Sequence, residues 1–276
     1  MRLRADLHTH TVASGHAYST VTENARAASL KGLELIAITD HGPGVPQGAH
    51  PWYFWNLKMV PSVLNGVRIL KGCEANVSAS GPNGLDLPDE ILEGLDFVAV
   101  GFHPTTGFDE PDRVRNTEAL LAVMANPLVD QVTHPGNEDE FPLDLDAVVE
   151  AAVRHNVILE LNNHSFDPMS ARAASTHRER EFAEVAIALG APVSIGSDAH
   201  YALRVGSFDA ALEIAEELGI PEERVVNRSA GAVLDHLLAK RPRARLDAGG
   251  EWEWPTFSAP FEEGPGSDEG EASRWW

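Results

Sequence analysis

Cysteine is almost missing from this chain: Cys73 is the single one among 276 residues. No disulfide can form within the chain, and a zinc module built from several thiolates is excluded. That usage fits a reducing compartment, and a cytoplasmic location is the expectation. Cationic charge is also in deficit, with 21 Lys and Arg against 42 Asp and Glu, a formal net charge of -21. No basic run meets a phosphate backbone, so the charge argues against nucleic acid as a partner. A small anionic substrate remains open, because bound divalent cations reverse the field locally. No apolar run reaches about 18 residues, so no membrane span is expected. The candidate functional residues begin at His8, so no signal peptide is expected. No G-x-G-x-x-G turn follows the first strand candidate, and no Walker A loop or G-x-S-x-G elbow occurs.

What the chain does have is a regular alternation. Short runs rich in Val, Ile and Leu at 3–10, 33–41, 67–77, 95–103, 129–136, 157–163 and 192–200 read as strands. Between and after them, helical patterns occupy 22–32, 89–94, 116–127, 144–156, 178–190 and 207–219, several stopping at Gly or Asn. Strands alternating with helices predict βαβ units and a parallel sheet. The expected fold is α/β, a distorted (β/α)7 barrel with parallel strands and its active site at the C-terminal rim; an open doubly wound sheet is the competitor. Residues 1–240 are expected to form this one domain. Residues 241–276, acidic and rich in Pro and Gly with four of the six tryptophans, read as a flexible or loosely docked tail.

The ionisable residues fall at strand ends. The first strand candidate ends on His8 and His10, the second on Asp40 and His41, the third on Glu74 and the fourth on His103. The fifth ends on His134 and the seventh on Asp198 and His200, while His16 follows in the first loop. Active sites of parallel barrels and open parallel sheets sit at that edge. Residues i and i+2 of a strand share a face, so His8 and His10 can aim at one ion, and Asp198 and His200 do the same if the strand persists that far. Nine metal-competent groups (His8, His10, His16, His41, Glu74, His103, His134, Asp198 and His200) exceed the needs of one ion, so two or three are implied, with a carboxylate such as Glu74 bridging. Imidazoles with a few carboxylates and no thiolate suit Zn, Mn or Fe. Cys73 faces away from Glu74 and is expected to pack against outer helices. His50 and His164 are weaker candidates for a pocket wall. Trp52, Tyr53, Phe54 and Trp55 either stack on a substrate ring or pack their own loop.

The stretches "DLHTHTVASGHAYST", "ITDHG", "GCEANV", "GFH", "THPGN" and "IGSDAH" resemble, in order and spacing, the motifs of the PHP (polymerase and histidinol phosphatase) family, over roughly residues 5 to 235. The resemblance is to its stand-alone bacterial phosphatase branch. It implies a distorted seven-stranded barrel with a trinuclear centre of divalent ions. One ion would be held by His8, His10, Glu74 and Asp198, a second by Glu74, His103 and His134, and a third by His16, His41 and His200. The implied activity is hydrolysis of a small phosphate monoester by a metal-bridging hydroxide. Asp40 is a candidate for orienting a ligand. Arg172 is a candidate for binding the phosphate, against the alternative of a solvated loop charge. Three rivals stand beside this reading: a phosphodiesterase or 3′–5′ exonuclease, a deaminase or amidase on a related barrel, and a non-catalytic module that metals merely stabilise. The sequence is compatible with a homo-oligomer and leaves the ester unnamed.

Overall fold

The computed structural model describes residues 1–108, 111–137, 140–168, 170, 172–173 and 176–242. From residue 243 onward, the predicted tail lies outside the described residues. The strands are β1 (Ala5–Thr9), β2 (Leu35–Ile38), β3 (Val63–Leu64), β4 (Val67–Asn76), β5 (Phe97–Gly101), β6 (Gln131–Val132), β7 (Ile158–Asn162) and β8 (Val193–Gly196). Seven of them pair in parallel in the order β1-β2-β4-β5-β6-β7-β8. The sheet curls almost into a closed barrel, as the alternation predicts. β3, which the sequence reading does not anticipate, is a short antiparallel partner of β4.

Helices α1 (Val21–Leu30), α2 (Pro51–Asn56), α3 (Asp89–Leu92), α4 (Arg113–Met124), α5 (Leu145–His155), α6 (Thr176–Leu189), α7 (Asp209–Glu217) and α8 (Ala230–Lys240) complete the fold. Local chemistry sets their ends. Thr20 and Glu23 form a capping box on α1, and Asp112, Asp144 and Ser229 cap α4, α5 and α8. Asn156, at φ 52°, ends α5 in the left-handed region that Asn tolerates. No helix of the described residues is long and apolar enough to cross a membrane.

One apolar layer lies between the sheet and its helices and includes Cys73, which packs there as expected. A second fills the barrel: Ala5, Leu7, Leu35, Ala37, Leu70, Phe97, Ala99 and Ile158, closed from below by Val226 and by Val233 and Leu237 of α8. α8 is absent from the predicted helices, and it is the floor of the barrel. At the seam, Thr9 of β1 bridges Ala199, three residues past the end of β8, and side chains do much of the stitching. The Asn227 amide donates to the carbonyls of Ala5 and Ile195, both at 2.8 Å, and accepts from Ile195 N–H. Asp6 accepts from the backbone N–H and the hydroxyl of Ser197.

Candidate metal centre

Two residues in a row of β1 reach the barrel interior. Leu7 packs in the inner apolar layer, and His8 meets carboxylates from β4 and β7. Regular alternation forbids that. The register against β2 supplies the reason: Asp6 faces Ile36 but Thr9 faces Ile38, so β1 holds one extra residue between them. This bulge inverts the parity of the strand and turns His8 and His10 inward. Their Nε2 atoms lie 3.0 Å apart.

Both rings face the same two carboxylates. Asp198 Oδ1 lies 3.4 Å from His8 Nε2 and 3.1 Å from His10 Nε2, and Glu74 Oε2 lies 3.3 and 3.5 Å from them. Ligand atoms on a tetrahedral zinc, each about 2.1 Å from the ion, stand about 3.4 Å from one another. Glu74 reaches further rings as well: His41 Nδ1 at 3.0 Å from Oε2, and His134 Nε2 and His103 Nε2 at 3.0 and 3.5 Å from Oε1. His16 stacks at the outer edge, its ring centre 5.1 Å from that of His41 and 4.7 Å from that of His200. Among the described residues, three overlapping sets bring ligand atoms within 4.8 Å of one another: His8, His10 and Asp198; His10, His41 and His200; His41, Glu74 and His103.

Backbone geometry also aims these groups. His134 has φ 33° and Asp198 φ 50°. β8 ends at Gly196, so Asp198 and His200 are not an i, i+2 strand pair. A left-handed turn at Asp198, which Asp tolerates, brings the carboxylate to the centre instead. Gly196 is required here, because a Cβ would strike the Glu160 carboxylate beside His8.

The residues fit a group of divalent cations on their chemistry. Glu74 Oε2 and His41 Nδ1 are buried, 3.0 Å apart, and neither makes a hydrogen bond, and buried His103 Nδ1 is likewise unsatisfied. Unsatisfied buried groups are costly and need an explanation, for which an ion is a sufficient one. Burial, reinforced by His200 and His41, holds His10 well below the ordinary imidazole pKa. Burial does the same for His103 and, more mildly, for His134. Neutral rings are the ligand-competent form. At His8, burial acts against charge, yet Glu160, Asp198 and Glu74 outweigh it and raise the ring well above its usual value. The same three carboxylates favour any positive charge placed among them. Burial opposes ionisation of Glu74 and Asp198, but the surrounding rings, with Arg172 at Asp198, keep both well below the usual carboxylate range.

Glu160 was not foreseen. It lies on β7, the one parallel strand whose end lacks a candidate ligand, and its oxygens stand 2.8 and 3.0 Å from His8 Nδ1. It also accepts from His134 N–H and the Asn162 amide. Holding the Nδ1 proton leaves the Nε2 lone pair of His8 for the centre. A lone Glu at an inward position of the apolar run "VILELNN" was the available signal.

The centre opens into a cavity of about 460 Å³ lined by His16, His41, Glu74, His103, His134, His164, Arg172, Asp198 and His200 among others. Arg172 is no solvated loop charge: its side chain is 14% exposed and its guanidinium bonds Asp198. Asp40 is not among the lining residues and lies behind the candidate ligands, bonded to the Ser14 hydroxyl that meets His10 Nδ1. His164 lines the wall, whereas His50 caps α2 by accepting from Trp52 N–H. Trp52 and Trp55 line a separate outer groove and so do not stack on anything in this cavity.

Glu179 of α6, fully buried near Arg172 and Glu160, was also unforeseen. Burial pushes its carboxyl from 4.5 up to about 8, with Ser165 acting the other way and Glu160 adding to the rise. The folded chain thus holds a proton that the unfolded chain releases. Its stabilising contribution is complete below pH 4.5 and is lost as pH rises through about 8. Glu179→Gln is expected to melt higher than the parent at about pH 9, with the gain vanishing toward about pH 4. A melting difference independent of pH would refute this.

A model of the PHP domain matches residues 6–218 of this chain. A protein of Caldanaerobacter subterraneus subsp. tengcongensis named "Probable phosphatase" is 44% identical over 254 residues, 92% of this chain and 97% of that protein. Another of the same name from Acetivibrio thermocellus is 45% identical over 247 residues, 89% of this chain and 99% of that protein. Among solved structures, the histidinol phosphate phosphatase of Lactococcus lactis subsp. lactis, complexed with zinc, L-histidinol and phosphate, matches with a TM-score of 0.58 at 18% identity. That match covers 79% of this chain and 95% of the other, and at such identity the likeness is one of fold.

Proposed function

The chain belongs to the PHP domain family, and on that premise we propose a phosphatase that hydrolyses small phosphate monoesters at a centre of three divalent ions, zinc, manganese or iron. It is a phosphoric ester hydrolase of the PHP type. The observation that carries the finer reading is the pair of buried, unsatisfied atoms, Glu74 Oε2 and His41 Nδ1, ringed by further imidazoles. In this reading, His8, His10, Glu74 and Asp198 hold one ion. Glu74, His103 and His134 hold a second, and His16, His41 and His200 a third. When bound, such ions supply a water nucleophile that ionises near neutral pH and offset charge on the phosphoryl oxygens.

The chain's own residues do the rest. Glu160 keeps the Nδ1 proton on His8, and the Asp198 carbonyl accepts from His200 Nδ1 at 3.0 Å, so each ring presents its other nitrogen. Arg172, on the cavity wall, offers planar N–H donors that suit two phosphoryl oxygens at once. The cavity admits a small ester, and we place the enzyme's action in the cytoplasm.

The test is a panel of para-nitrophenyl phosphate, histidinol phosphate, nucleoside monophosphates and sugar phosphates, set against a diester and labelled DNA. Monoester hydrolysis should vanish on chelation and return with zinc, manganese or iron. Full activity in verified metal-free protein would sink the proposal, and a strong diester preference would replace it with the phosphodiesterase reading.

A further inference from the structure

We propose that Ser14, Asp40 and Tyr53 form a positioning relay that fixes the ring tautomer of His10 and thereby strengthens its hold on a divalent cation. This rests on the reading of His10 as a metal ligand.

The relay follows from counting protons. Asp40, fully buried, accepts from Thr11 N–H at 2.6 Å, the Thr11 hydroxyl at 2.8 Å, the Ser14 hydroxyl at 2.6 Å and the Tyr53 hydroxyl at 2.5 Å. Ser14 has one hydroxyl proton, and Asp40 takes it. The Ser14 oxygen can therefore only accept from His10 Nδ1, 3.0 Å away. So the His10 proton sits on Nδ1, and Nε2 faces Asp198 and Glu74 as a lone pair. His41 N–H donates to the same serine oxygen at 3.2 Å, which leaves it no freedom to turn.

The two neighbouring rings are thus backed differently. Glu160 touches His8 directly, whereas the Asp40 charge reaches His10 through a neutral hydroxyl. His10 is the less polarised ligand, and its strength depends on how tightly Asp40 is held. Tyr53 sets that. It comes from α2, a segment outside the centre, and its ring is fixed edge-on against buried Phe54 with centroids 5.2 Å apart. Burial and the Asp40 charge push its phenol upward, so it remains a donor throughout the neutral range.

The experiment loads the full chain with zinc and measures the metal retained along a graded chelator series. Ser14→Ala should weaken retention about 10- to 100-fold, the usual effect of losing a ligand's hydrogen-bond partner. Tyr53→Phe, which deletes one oxygen and leaves the ring packed, should weaken it less but in the same direction. Because both act along one chain of bonds, the double variant should be no worse than Ser14→Ala alone. Wild-type retention in Ser14→Ala, or losses that multiply in the double variant, would overturn the relay. Tyr53→Phe with wild-type retention overturns its own part, and it carries the test if Ser14→Ala fails to fold. Wild-type retention in His10→Ala would instead overturn the metal assignment on which the relay rests.

Discussion

Glu74→Gln should lower phosphatase activity by more than about 100-fold and release more than one ion. Loss of a residue that merely orients a ligand costs about 10- to 100-fold, so loss of a shared ligand must cost more. Glu74 is fully buried and stands within 3.5 Å of five imidazoles, those of His8, His10, His41, His103 and His134. Its Oε1 also accepts from the Thr133 hydroxyl at 2.7 Å. An amide removes the charge those rings face and puts a donor where only acceptance fits. Metal content by mass spectrometry and kcat on a chromogenic monoester are the readouts. A variant that keeps every ion and most of its activity would remove Glu74 from the centre.

A chain ended after residue 228 should fail to fold, while one ended after 242 should melt and turn over like the parent. The shorter cut deletes α8. Its Val233 and Leu237 are both fully buried against the inner strand residues, and each such side chain contributes about 1.5–3 kcal/mol. Two of them account for about 3–6 kcal/mol of a total stability that is commonly about 5–15 kcal/mol. The cut also opens Leu7, Leu35 and Phe97 to water from below. Circular dichroism melts of the two truncations decide the matter. Cooperative melting of the shorter chain at the parent temperature would show that α8 is no floor. The contrast also tests the proposed domain boundary near residue 240.

The sequence reading reached the barrel because strands buried on both faces read as unbroken apolar runs, and because helices with strong caps repeat between them. It grouped the nine candidate ligands because parallel strands bring their C-terminal ends, with the loop after the first of them, to one rim. What it missed has common physical causes. The bulge in β1 leaves no mark in composition: by alternation alone, Leu7 inward means His8 outward, and only the pairing with β2 shows otherwise. Asp198 reaches the centre by a left-handed turn, not by the strand spacing that suggested it. Glu160 and Glu179 each look like one more carboxylate in an acidic chain until burial distinguishes them. Ser14 and Tyr53 matter through Asp40, contacts across 26 and 13 residues that no local pattern records. The helix "AGAVLDHLLAK" is apolar over much of its surface, and which layer it closes depends on the finished sheet.

The barrel's joint also bears on the metals. β1 and β8 are the two ends of the strand order, and Asn227 and the Asp6–Ser197 contact bind them where the regular ladder does not. The centre draws His8 and His10 from one side of that joint and Asp198 and His200 from the other. On the proposed reading, an ion held by both sides is a clasp on a hoop: it adds bonds across a seam where the described residues carry one bridge, Thr9 to Ala199, in place of a ladder. Binding that favours only the closed form stabilises it by mass action. On that reading, capture of the ion and closure of the hoop are one equilibrium, in which the end of β1 and the turn after β8 hold the same charge.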